Sequence, residues 1–199
     1  MDYYNYDISE MHLELSISEL REKLKGIEEG SIVLLNFNSL DYSDLTFEAL
    51  DFMINEKGAG ITYITASRPY NYLASILENK KIDKENLFFI DCITHMANIM
   101  PEKNEKCVFI ENPASLEEMG MHTERLLRQL KTENKFLFID SLSTLLMYNN
   151  TNSLKEFSHF LTTRLRINGI GGIFVAIKGL SDEDVIETIA MMCDKVIEI

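Results

Sequence analysis

The sequence predicts an α/β fold of three layers, a mostly parallel central sheet with helices on both faces. Three observations lead there. Runs such as SIVLLN (31–36), KFLFID (135–140) and GIFVAI (172–177) are apolar throughout rather than alternating, the pattern of strands buried on both faces. Segments with apolar residues at helical spacing separate these runs, which is the order of a parallel sheet with crossover helices. In residues 30–52, GSIVLLNFNSLDYSDLTFEALDF, a strand turns through a polar loop into an apolar-faced helix. Sheets of this kind bind ligands at the carboxyl ends of their strands, where that corner lies.

Along the chain, residues 1–15 read as an acidic, tyrosine-rich N-terminal segment and residues 16–199 as a single domain. Tyr3, Tyr4 and Tyr6 are either a docking arm or part of a solvated tail. Ser16 and Glu19 have capping-box spacing for a short helix, SELREKLKG. After the strand at 31–36, residues 45–57 place Leu45, Ala49, Phe52 and Met53 on one helical face. ITYITA (61–66) is the next strand, and Pro69 opens a helix over 70–80. LFFID (87–91) and CVFIE (107–111) are strands. Ser115 with Glu118 caps a helix to about residue 132, followed by the strand KFLFID. Ser153 with Glu156 caps a helix whose Leu154, Phe157, Leu161 and Leu165 share a face, and Asn168-Gly169 ends it. GIFVAI follows. Ser181 with Asp184 caps the last helix, whose Ile189, Met192 and Cys193 form a core stripe, and KVIEI (195–199) closes the sheet.

Composition narrows the function. A chain of 199 residues, 46% hydrophobic and 26% charged, suits one compact α/β domain. Its net charge of -13 argues against duplex nucleic acid or an anionic membrane as the main partner, since both select basic patches. No apolar run approaches the length of a membrane span, and MDYYNYDISE has the character of neither a signal nor a transit peptide. Cys92, Cys107 and Cys193 are odd in number and form no CxxC, which fits reduced thiols in the cytoplasm. His12, His95, His122 and His159 are scattered without metal-site spacing, so no structural metal is expected. There is no GxSxG and no recognisable cysteine nucleophile.

From residue 25 to 199 the order of features resembles the KaiC/RecA-like ATPase superfamily, the archaeal KaiC-like branch in particular. EEGSIVLL resembles the segment leading into the phosphate loop of that family, and KFLFIDSLSTLL its Walker B strand and the helix after it. FLTTRLRINGIGGIFVAI and CDKVIEI resemble the later helix, strand and closing strand. The resemblance implies a three-layer RecA-like P-loop NTPase fold and an oligomer-forming ancestry.

The chain departs from the family pattern at two places. A phosphate loop has the form GxxxxGK[ST], in which glycines allow close backbone approach, lysine neutralises charge and a hydroxyl holds Mg²⁺. Aligned from Gly30, Phe37 and Tyr42 replace the glycines, Ser43 the lysine and Asp44 the hydroxyl. Asp41 and Asp44 add charge that repels a polyanion, while Ser43 or Asp44 is placed to N-cap the helix starting near Leu45. The corner thus reads as a degenerate Walker A, occupied by the protein's own side chain. After ITYITA, where active relatives carry the acid that activates water, the chain reads Ser67-Arg68-Pro69. Arg68 is expected to form a surface salt bridge with a nearby acid, or to receive an anionic group. Asp140 and Ser141 match the Walker B end, with a structural reading beside the nucleotide one: Asp140 accepting backbone N–H bonds and Ser141 capping the next helix.

The expected function is a non-catalytic, pseudo-ATPase domain working as a regulatory or scaffolding protein-interaction module, with no cofactor. Its partner is a protein, either a second copy or an active homologue. The alternative is an atypical ATP-binding protein or ATPase. In it Asn38, Ser39 and Ser43 donate to phosphate, Arg68 replaces the lysine and Asp140 stands on the metal, with Ser141 beside it in the same vestigial nucleotide site. A third reading, DNA binding in the manner of RecA, is weak on charge grounds.

Overall fold

A computed structural model describes residues 3–180 and 182–199, with side chains from Glu10 onward. The elements run α1 (Tyr3–Lys25), β1 (Ile32–Phe37), α2 (Tyr42–Asp51), β2 (Gly60–Thr65), α3 (Tyr70–Asn79), β3 (Leu87–Asp91), β4 (Cys107–Phe109), α4 (Leu116–Gln129), β5 (Lys135–Asp140), α5 (Leu142–Tyr148), α6 (Thr151–Ile167), β6 (Gly171–Ile177), α7 (Glu183–Ala190) and β7 (Lys195–Glu198). A π-helical turn, Phe52–Glu56, prolongs α2, and a 3-10 turn, Thr94–Ala97, follows β3.

Seven strands form one sheet in the order β4-β3-β2-β5-β6-β1-β7, every pair parallel. Successive residues of each strand feed opposite layers, because side chains alternate across a sheet. Val33, Leu35, Tyr63, Phe89, Phe138 and Val175 join the cluster under α1, α2 and α3. Leu34, Ile64, Ile90, Leu137, Ile139 and Phe174 join the cluster under α4, α5, α6 and α7. Double-sided burial is why these strands read as unbroken apolar runs, and the three-layer α/β expectation holds.

The predicted helical faces are buried: Leu45, Ala49, Phe52 and Met53 on α2 and its extension, and Leu154, Phe157, Leu161 and Leu165 on α6. The last predicted stripe is only partly so. Ile189 is buried, while Met192 and Cys193 lie beyond the end of α7 and are half-buried.

Several predicted caps are corrected. Ser16 lies inside α1, because the upstream residues continue the helix; Leu20 and Leu24 from the same helix enter the core. Ser115 occupies the N-cap of α4 without a side-chain cap bond. Helix α6 starts earlier than expected, capped by the Asn150 side chain, which accepts from Ser153 N–H at 2.9 Å. Ser181 lies outside the described residues, and Asp182 caps α7, accepting from Asp184 N–H. Ser/Thr/Asp/Asn patterns recur in this chain, and which member caps depends on where packing lets the helix begin. Asn168 and Gly169 do end α6, with Gly169 at φ +65°.

One close approach is unforgiving. Gly171 stands opposite Phe136 in the β5–β6 ladder, and a Cβ added there would lie 2.1 Å from the ring. Gly171→Ala is expected to cost about 1–3 kcal/mol through overpacking, read as a lower urea midpoint at unchanged slope. An unchanged midpoint would show that the Phe136 ring has another low-energy position.

Candidate functional site

The strand order leaves β1 and β5 separated by β6, with the β1–α2 corner and the end of β5 at the same carboxyl edge of the sheet. Asp140, the last residue of β5, is completely buried. Its two carboxylate oxygens accept from two tyrosine hydroxyls, Tyr42 on Oδ1 and Tyr63 on Oδ2. Tyr42 is the first residue of α2, so its side chain reaches from the β1 corner past the end of β6 to Asp140. Tyr63 comes from β2 on the other side, its ring stacked on Phe138 with centroids 5.0 Å apart. The expected backbone N–H donors to Asp140 are thus replaced by phenols from two other elements.

Arg68 covers this arrangement. Its guanidinium carbon lies 5.4 Å from the Tyr42 ring centroid and 5.2 Å from that of Phe47. The predicted Arg68 salt bridge is corrected: no carboxylate among the described residues lies within ion-pair distance, and the cation rests on aromatic faces instead. Ser67 Oγ lies 3.5 Å from the Tyr42 hydroxyl. Thr65 Oγ1 holds the turn by donating to Arg68 O at 2.6 Å and accepting from Arg68 N–H at 3.2 Å.

Electrostatics follow from burial. Loss of water pushes the Asp140 carboxyl up to about 7. Burial also raises the Tyr63 hydroxyl well above its ordinary value, partly opposed by the Arg68 charge. The Tyr63 phenol therefore remains protonated and able to donate while Asp140 gains or loses its proton. A carboxylate that already accepts two hydroxyls has less to offer a metal-bound water than an open one.

The other predicted residues separate. Asn38 and Ser39 are exposed in the turn after β1; the Asn38 contact is a backbone one, N–H to Ile199 O at 3.2 Å. Ser43 and Asp44 do not cap α2: the N-cap is Asp41, with no side-chain cap bond. Starting the helix at Tyr42 places both within its first turn, too late to cap. Asp44 instead faces Lys80 at 3.7 Å and Asp41 faces His12 at 3.4 Å. Ser141 does what was expected structurally, accepting from Thr144 N–H at 3.2 Å as N-cap of α5. The Asp140–Ser141 peptide is cis.

A second buried carboxylate was missed. Asp91 ends β3 as Asp140 ends β5, and both strands read Phe/Leu-Phe-Ile-Asp. Asp91 accepts from Tyr70 N–H at 2.7 Å, Ile93 N–H at 2.7 Å, Thr94 N–H at 2.9 Å and Thr94 Oγ1 at 2.6 Å. It ties the start of α3 to the 3-10 turn beyond β3. The duplicated Ile-Asp ending was its sequence signal. For Tyr63 the signal was a phenol inside an apolar strand, which needs a buried partner.

Among the described residues no group of three or more His, Cys, Asp or Glu is placed to hold a metal ion. All three cysteines are free; burial pushes Cys92 far up and Cys193 up to about 12, so neither is an activated nucleophile. No helix among the described residues is long and apolar enough to cross a membrane.

A family model described as "Family of unknown function (DUF7504)" matches residues 57–199, which include Tyr63, Arg68, Asp91 and Asp140 but not Tyr42. No curated protein matches the chain significantly. Solved structures do. A KaiC-like protein from the hyperthermophilic archaeon Pyrococcus horikoshii is 16% identical, with a TM-score of 0.61 over 87% of this chain and 72% of its own. An uncharacterized protein from the same organism, in complex with an unknown peptide, is 17% identical, with a TM-score of 0.63 over 92% and 82%. A further Pyrococcus horikoshii protein is 12% identical, with a TM-score of 0.60 over 91% and 87%. At such identities the likeness is one of fold: a KaiC-like, RecA-like α/β sheet.

Proposed function

The chain belongs to this family of unknown function, and from that premise we propose that it is a non-catalytic KaiC/RecA-like domain acting as a protein-interaction module. The observation that carries the reading is Tyr42. It stands where the second phosphate-loop glycine would fall, and it bonds to the aspartate that would orient magnesium-bound water. One side chain thus occupies the corner and satisfies the metal-side carboxylate. The loop between Phe37 and Leu45 has no glycine, lysine or arginine to set against a polyphosphate, and carries Asp41 and Asp44. Ser67-Arg68-Pro69 supplies no general base, and its cation lies on two rings. The degenerate Walker A is thus blocked by a phenol rather than by a helix cap.

The partner is a protein, a second copy or an active homologue. A protein of the same fold holding a peptide is in keeping with this. Three free thiols, two of them buried, fit the cytoplasm.

Calorimetric titration of ATP and ADP with Mg²⁺, with melting followed in parallel, tests the proposal. No heat and no melting shift are expected at millimolar nucleotide. A ligand at a hundred times its Kd would stabilise the fold by about 2.7 kcal/mol. A shift of that size, lost in Asp140→Ala and Ser43→Ala, would replace the proposal with the ATP-binding alternative.

A further inference from the structure

Away from the carboxyl edge of the sheet, on the outer face of the second helical layer, α4 and α6 lie side by side. Each leads into one of two adjacent parallel strands, β5 and β6, so the helices point the same way. Gly120 on α4 lets Phe160 of α6 approach; a Cβ there would lie 3.4 Å from the Phe160 ring. The shallow groove between them continues as two cavities, about 590 Å³ toward the helix N-termini and about 520 Å³ toward the C-termini, with Phe160 lining both. Large apolar side chains stand out along it: Met121 is 62% exposed, Phe160 46% and Ile167 73%. Apolar side chains contiguous along one face mark an interaction surface rather than ordinary scatter.

The charges on this face are sorted by end. Toward the N-termini the groove carries Glu117 and Glu156, both exposed and neither in an ion pair with a described residue. Toward the C-termini it carries Arg128, Arg164 and Lys135, with Glu133. Glu124 in the middle pairs with Arg128 at 3.3 Å and Arg164 at 2.5 Å. Four carboxylates and three cations make the face close to neutral on a chain of net charge -13. It is therefore a surface on which a second copy meets little repulsion.

We infer that the α4/α6 face is an isologous dimer interface, in which a two-fold axis near Phe160 sets the acidic end of one copy against the basic end of the other. A two-fold axis that lies in the interface at right angles to the helices reverses the direction of both, so Glu117 and Glu156 meet the partner copy's basic end twice over, and the Met121 and Phe160 side chains pack at the centre. Charge complementarity selects a second copy over a uniformly basic or apolar partner, because the same sorted ends are needed on both sides. Helix α6, with 17 residues, is roughly 25 Å long, so that two helices side by side present a patch of roughly 500 Å² per copy, the size of a small interface. This inference rests on the reading of the chain as an interaction module and names the partner of that module.

Sedimentation velocity on the full chain over a concentration series tests it. The wild type is expected to dimerise at micromolar concentration. Phe160→Arg should weaken the dimer more than about tenfold, as loss of a central anchor does. Met121→Arg serves as the second central variant should Phe160→Arg melt early. The double variant Glu117→Lys, Glu156→Lys and the single variant Arg128→Glu should each weaken self-association, and an equimolar mixture of the two should restore it. A monomer at every concentration, a dimer insensitive to both central variants, or a mixture that fails to restore association overturns the inference. None of these outcomes alters the nucleotide titration, on which the non-catalytic reading stands or falls separately.

Discussion

Asp91→Ala is expected to lower folding stability by about 3–5 kcal/mol, the largest effect of any single change considered. The side chain is fully buried, and its two oxygens accept from three backbone N–H groups and one hydroxyl. Bonds to a charged acceptor contribute about 1.5–3 kcal/mol each and do not add independently, while the donors left behind keep their desolvation penalty. Alanine supplies no acceptor, and the space it leaves is lined by backbone that cannot turn away without unwinding the start of α3. Urea denaturation reads the change. A loss below about 1 kcal/mol would mean that water or a rearranged loop takes over the four donors. Asp91→Asn separates geometry from charge: it retains one acceptor oxygen, so its cost should fall between wild type and alanine.

Asp140→Asn should behave in the opposite sense and depend on pH. In an unfolded chain an aspartate gives up its proton near pH 3.9, whereas burial holds the Asp140 proton to about 7. Between these values the folded state binds more protons than the unfolded one, so this residue's contribution to stability declines as pH rises from about 4 to about 7, then levels off. At about 1.36 kcal/mol per pH unit the full span is roughly 4 kcal/mol, and the hydroxyls of Tyr42 and Tyr63, which favour the ionised form, reduce it to about 2–4 kcal/mol. Asparagine carries no charge and can still accept from one phenol. The variant should therefore gain stability over wild type by that amount between pH 4 and pH 8. Taking the difference cancels the titration of the other carboxylates. A flat difference would show that Asp140 is ionised throughout, held by its two phenols.

These two aspartates show how far the sequence could be read. Both end apolar strands with Ile-Asp, and nothing local separates them, yet one meets backbone amides and the other meets phenols from residues 42 and 63. Strand identities, the parallel sheet and the helical faces were legible because burial on two faces or one imposes its own period on the chain. That the loop between Phe37 and Leu45 lacks glycine and lysine was legible in the residues themselves. The contact made there was not: the nearby Ser43 and Asp44 fit a local capping rule, while Tyr42 acts on a partner 98 residues away. Arg68 had acids enough nearby in sequence for a salt bridge, but the fold presents it to Tyr42 and Phe47. By itself, then, the sequence determined the layers, the apolar strands and the residue types of the β1–α2 loop, all of which follow from residue type and period. Only the tertiary structure decided which polar side chains meet, because those contacts depend on strand order and helix start points. These are settled by packing across the whole sheet.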